Sequence, residues 1–193
     1  MPRTLEEPRT PGLPVVKRQR IGETFNGALV RADQRDVLKD GEPILKPNGK
    51  RKQELVLTLV AMPGTDATAG IGDDIGVPTP GDLVRFMLRG AAFGQWIEAR
   101  KTHRNLATGD VFTHFTDSAQ CYDANGAVKG PKITEQAKLE AIPRGTAVGV
   151  YGTLALRPPT PAEGQWVTKA DAAHDDLLAG NRRSLDDDTD SPF

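Results

Sequence analysis

The sequence predicts a mainly β fold: an OB-fold-like five-stranded barrel with one or two short helices and long loops. Three observations predict it. The chain has 193 residues with 20 glycines and 15 prolines, long enough for one core and too rich in breakers for a helix bundle. Short runs alternate apolar and other residues with a period of two, most clearly ELVLTLVAM at 54–62 and TAVGVYGTLALR at 146–157. Asp40-Gly41 and Asn48-Gly49 are hairpin-type turn signals lying between such runs.

Residues 1–16 hold Pro2, Pro8, Pro11 and Pro14 and no periodic apolar pattern, so they are expected to be a flexible arm. The barrel domain is expected over 17–172. A first strand is predicted at about 20–32, where Ile21, Phe25 and Leu29 share one side and Gly22 and Gly27 mark a bend or bulge. The two turn signals follow, the second among Lys46, Lys50, Arg51 and Lys52, which makes this a basic loop or hairpin. In 54–62, Leu55, Leu57 and Leu59 alternate with Val56, Thr58 and Val60, the pattern of a strand buried on one face and half-buried on the other.

Residues 63–82 read as a glycine-rich loop. Thr79-Pro80 beside Asp82 then starts a short helix predicted over 80–89, with Leu83, Phe86 and Met87 at helical spacing. Gly90 and Gly94 leave 90–101 open between helix and strand. VFTHFTD at 111–117 reads as a strand with Phe112 and Phe115 on opposite sides, so that one of them is core, and 124–128 as a turn. In the last clear strand, Val148, Val150, Leu154 and Leu156 form a core face, and Ala147, Tyr151, Thr153 and Arg157 form the other. GQWVTKADA at 164–172 offers a strand to close the sheet, and 173–193 is expected to be a disordered acidic tail.

The net charge of −1 conceals an asymmetry. From residue 171 onward, seven aspartates against Arg182 and Arg183 give −5, which leaves +4 on residues 1–170. A basic body with an acidic end suits a polyanion ligand. Cys121 is the single cysteine, so no intrachain disulfide forms and a reducing compartment is expected. The first twenty residues lack the apolar run of a signal peptide, and LVLTLVAM at 55–62 is too short to span a bilayer. The expectation is a soluble cytoplasmic protein with no membrane partner, acting in the host cytoplasm if phage-encoded.

Two residue sets are the candidate single-strand contacts. Arg20, Arg31, Lys46, Lys50, Arg51, Lys52, Arg100, Lys101 and Arg157 supply charge for phosphates, with Arg18 and Arg35 extending the same path. Trp96, Phe115, Tyr122, Tyr151 and Trp166 are the rings proposed to stack on bases, which is sequence-tolerant because every base has a π-face. The third feature is the end, SLDDDTDSPF. Aspartate runs are ordinarily solvated, but Phe193 in a partner's pocket would gain on the order of 1.5–3 kcal/mol. Asp186, Asp187, Asp188 and Asp190, with Pro192 and Phe193, therefore form a candidate partner-docking peptide.

DDDTDSPF resembles the acidic tip of bacterial single-stranded DNA-binding proteins, which ends in aspartates, a hydrophobic residue, Pro and Phe; Ser191 stands here where that family has the hydrophobic residue. GTAVGVYGTLALR resembles the Gly-x-x-Val-x-Val-x-Gly-x-Leu strand of the same family. The resemblance implies an oligonucleotide-binding barrel that coats single-stranded DNA and recruits replication, recombination or repair proteins through its tail. It needs no cofactor, and self-association is left open.

Catalysis is not expected. His103, His114 and His174 are scattered, and Asp73, Asp74, Asp110, Asp117 and Asp123 lie without His/Cys ligand spacing, phosphate loop or nucleophile motif. The alternative from another class is a virion structural or assembly β-barrel that makes only protein contacts.

Overall fold

The computed structural model describes residues 12–186, with side chains to residue 179. In chain order the elements are β1 (Val15–Lys17), β2 (Thr24–Asp36), β3 (Leu38–Lys39), β4 (Glu42–Pro43), β5 (Gln53–Ala61), β6 (Thr68–Ile71), β7 (Asp74–Gly76) and β8 (Leu83–Leu88). Then come α1 (Ala91–Thr102), β9 (Val111–Tyr122), β10 (Val128–Ile133), α2 (Gln136–Glu140), β11 (Ala147–Arg157) and α3 (Gly164–Asp186).

The fold is mainly β, with one large mixed sheet ordered β10-β9-β2-β5-β8-β1-β6-β7, and β11 on the other side of β9. All pairings in it are antiparallel except β1 with β8. β2 serves two ladders: Thr24–Ala28 pair with β9 and Gly27–Asp36 with β5. Val30 is the extra residue of a bulge between Leu29 and Arg31, which lets so long a strand bend from one partner to the other. The sheet is not closed. Between β8 and β11 lies a cleft lined by Val15–Gln19 together with Met87, Arg89, Val148 and Val150.

Alternation divides the sheet into two faces. The inner face holds Phe25, Leu29, Leu55, Leu57, Leu59, Val84, Phe86, Leu88 and Phe112, with Trp96 of α1 inserted among them. Phe86 is the centre of this cluster, with ring centroids 5.5 Å from Phe25, 5.0 Å from Phe112 and 5.0 Å from His114. On the outer face α3 lays Trp166, Ala170, Ala173 and Leu177 across Ala28, Val30, Val60, Met62 and Val111. That spacing of four, three and four residues is one helical stripe.

Several expectations are corrected. β1 begins at Val15 with Val16 buried, inside the span 1–16 expected to be an arm; residues 1–11 lie outside the described region. Residues 83–88 are a strand and not a helix, because Val84, Phe86 and Leu88 bury alternately between β5 and β1. The open segment 90–101 is mostly helix α1. Residues 63–82 include the β6–β7 hairpin, and β10 and α2 interrupt the connection from β9 to β11. The stretch 164–172 does not close the sheet as a strand; it opens α3, and 173–186, expected to be disordered, continue that helix. The turn signals hold: Asp40 (φ 53) and Gly41 (φ 84) both adopt the left-handed conformation that a type I′ turn requires.

Candidate nucleic-acid interface

Three basic side chains of the outer face arise from cross-strand register. Arg31 on β2 pairs with Thr58 on β5, which pairs with Arg85 on β8. Two residues on, Asp33, Val56 and Met87 form the next row, and Arg35 pairs with Glu54. Arg89, one residue beyond β8, reaches the same carboxylate: Glu54 Oε1 accepts from Arg35 Nε at 2.8 Å, and Glu54 Oε2 accepts from Arg89 Nε. The Glu54 carboxyl is 3% exposed. Burial pushes its pKa up, but the two arginine hydrogen bonds outweigh that and hold it below the ordinary carboxylate value. Arg31 Nε donates to Asp33 Oδ1 at 2.6 Å. Arg31, Arg35 and Arg89 are thus each gripped at Nε, and among the described residues their terminal nitrogens make no hydrogen bond.

The basic hairpin continues the β2–β5 ribbon from this face. Lys46 N donates to Lys50 O at 2.7 Å, Val37 N to Lys52 O at 2.8 Å, and Leu45 bridges Arg51. Lys46, Lys50, Arg51 and Lys52 are all exposed, and Arg51 Nη1 bonds Asp36 Oδ2 at 2.9 Å. Arg31 and the hairpin, which the sequence singled out, therefore lie along one ribbon with Arg35.

The rings of β9 and β11 form a second outer feature. Phe115, opposite Thr153, is 43% exposed, and Tyr151, opposite Ser118, is 36% exposed. Tyr122 lies further along β9 on the same face, and its hydroxyl hydrogen-bonds that of Tyr151. Gly149 makes this possible, since a Cβ there would sit 3.0 Å from both Tyr122 Cε2 and Tyr151 Oη. Phe112 is core and Phe115 is exposed, the division expected from alternation.

Other predicted residues are placed elsewhere. Trp96 is 4% and Trp166 8% exposed, so neither ring presents a face to a base: each fills the apolar gap between its helix and the sheet. Arg157 is held at both ends of its fork, Nη1 to Glu163 Oε2 at 2.8 Å and Nη2 to Glu163 Oε1 at 2.7 Å. This ion pair joins the end of β11 to the turn before α3. The same bonds, with the Thr160 N–H, draw the Glu163 carboxyl down to about 2. Lys101 pairs with Glu98 on α1, Arg100 Nη2 donates to Arg104 O at 3.4 Å, and Arg20 Nη2 donates to Asp66 O at 3.1 Å. These three lie apart from the arginine face. Arg18, too, leaves the expected path, turning inward with its guanidinium 5.6 Å from the Phe86 centroid. Burial pulls its pKa down, against the attraction of Glu23.

Sequence reasoning misses Arg85 and Arg89 because it reads a helix over 80–89. The signal is present in LVRFMLR, where Arg85, Met87 and Arg89 alternate with Val84, Phe86 and Leu88. Among the described residues no group of His, Cys, Asp and Glu gathers as a metal site, and no helix is long and apolar enough to cross a membrane. Asp110 is buried, accepting from Ala107 N at 2.8 Å and lying 2.7 Å from His103 Nε2. Asp186 is the last residue of α3; Asp187, Asp188, Asp190, Pro192 and Phe193 lie outside the described residues. No protein-family model, curated protein or solved structure matches the chain.

Proposed function

We propose that the protein binds single-stranded DNA without sequence preference, through phosphate contacts on the outer arginine face and base stacking on the β9–β11 rings, and that its sheet is an OB-type barrel left open at one seam. The observation that carries this reading is that Arg31, Arg35, Arg85 and Arg89 share one face, continuous with the basic hairpin. The chain order supports the fold: β2, β5 and β8, a helix, then β9 and β11, with β2 beside β9, is the strand, strand, strand, helix, strand, strand order of such a barrel. In OB-folds the second and third strands and the loops after the first and fourth strands hold oligonucleotides. Here those strands are β5 and β8, and the first such loop, 37–52, carries five bases against two acids.

The acidic segment from Asp186 is assigned to recruiting replication, recombination or repair proteins. In the absence of DNA it competes for the arginine face as a polyanion mimic. Anisotropy of a labelled oligo-dT titrated at low and high salt tests the reading. Affinity should fall with salt by about 0.7 log units per log unit for each phosphate neutralised. No binding at low salt overturns it.

The rival, a virion assembly protein, has one observation in its favour. Ile71, Ile75 and Val77 stand exposed along the β6–β7 edge, as an assembly contact requires. Light scattering that shows ordered multimers, together with no oligo-dT binding, selects it.

A further inference from the structure

We infer that Glu54 is a positioning residue that presets Arg35 and Arg89 as a two-pronged receptor for the phosphates of a single strand; this rests on the single-strand reading above. Glu54 sits on β5 between the strand that carries Arg35 and the strand end that carries Arg89. Its carboxylate is 3% exposed, whereas the arginine side chains are 53% and 52% exposed. A buried carboxylate that stays ionised and holds two half-exposed cations leaves one net positive charge at the surface.

The contact atoms decide what that charge can do. Both arginines reach Glu54 through Nε, and among the described residues neither uses its Nη nitrogens in a hydrogen bond. Holding the Nε–H restrains the guanidinium plane and leaves the Nη groups of these half-exposed side chains without a protein partner, a fork that matches phosphate oxygens. Adjacent strands lie about 4.8 Å apart, so forks two strands apart suit two phosphates better than one. Arg31, gripped at Nε by the half-exposed Asp33, shows the same arrangement without a buried anchor.

The sign of one substitution separates positioning from simple charge. Glu54→Gln removes a negative charge beside the ligand, so a purely Coulombic role predicts tighter binding. Positioning predicts the reverse. Oligo-dT anisotropy over a salt series is measured for the wild type, Glu54→Gln, Arg35→Lys and Arg89→Lys. The expected result is affinity about tenfold weaker for Glu54→Gln despite the more positive surface, with the salt slope reduced by about 0.7 for each phosphate that is no longer neutralised. The lysine variants keep the charge and lose the fork, and they should weaken binding several-fold. Wild-type or tighter binding by a Glu54→Gln protein with wild-type circular dichroism overturns the inference. Should Glu54→Gln not fold, unchanged affinity in both lysine variants overturns it equally. If the wild type itself binds no oligo-dT, the single-strand reading fails and tripolyphosphate decides the clamp. A thermal shift in the wild type that is lost in the lysine variants sustains it, and no shift in the wild type ends it.

Discussion

The side chain of Gln95 on α1 hydrogen-bonds both ways to the backbone of β11, donating to Gly152 O at 3.0 Å and accepting from Leu154 N at 3.1 Å. It takes the place of a strand along the free edge of β11, satisfying groups that would otherwise pair with another chain. Gln95→Ala should cost about 1–3 kcal/mol, read as a lower midpoint in urea, because two half-buried backbone groups lose their partners. Increased self-association in sedimentation should accompany it.

The proposed stacking surface rests on the exposed rings of Phe115 and Tyr151. Replacing either by Ala should weaken oligo-dT binding by about 1–3 kcal/mol while the melting temperature moves little. Phe86→Ala is the contrasting case: it empties the centre of the core and should cost about 3–5 kcal/mol of stability. Equal losses of binding in folded Phe115→Ala and Phe86→Ala proteins would argue against this division.

Neither tryptophan should report DNA binding directly. Trp96 and Trp166 are buried, so emission is expected to be blue-shifted, poorly quenched by iodide and almost unchanged on adding oligo-dT. Strong quenching by DNA would place one of these rings at the ligand.

Two groups give stability separate pH windows. Burial, with the charge of Arg18, lowers the His114 pKa from an ordinary 6.5 to about 4. Between those values the unfolded chain takes up a proton that the folded one refuses, so stability is full above about 6.5 and falls as pH drops toward 4. Glu163 shifts from 4.5 to about 2, so the benefit of its pairing with Arg157 is present above 4.5 and lost as pH falls toward 2. Melting curves of His114→Gln should show a shallower slope in the first window. For Glu163→Gln, the deficit relative to wild type should shrink in the second.

On the proposed function, removing residues 184–193 should leave oligo-dT affinity equal or higher, since the polyanion proposed to compete for the arginine face is gone, and should abolish capture of tail-reading partners. Weaker DNA binding by the shortened chain would refute the competition.

Much of this fold is legible in period-two runs. β5 and β11 stand out because Leu55, Leu57 and Leu59, and then Leu154 and Leu156, face one core. β8 reads as a helix because Leu83, Phe86 and Met87 also satisfy helical spacing; the neighbours β5 and β1 decide for a strand, and no local signal contains them. α3 escapes notice because Trp166, Ala170, Ala173 and Leu177 divide between a supposed strand and a supposed tail. Of the candidate site, Arg31 and the hairpin follow from charge, and Tyr151 from its face of the strand. The tryptophans do not, since burial of a ring depends on which helix covers it. The pairing of Arg35 with Arg89 through Glu54 depends on register between residues 35 apart, which sequence spacing alone does not encode.

One consequence belongs to β2. Its first part is stitched to β9 and the stretch from Gly27 onward to β5, with the Val30 bulge inside the second ladder, so strands from the early and middle thirds of the chain share a single backbone seam. Neither ladder can melt while the other stays intact, and heat should take the molecule apart in one calorimetric step, with equal van't Hoff and measured enthalpies.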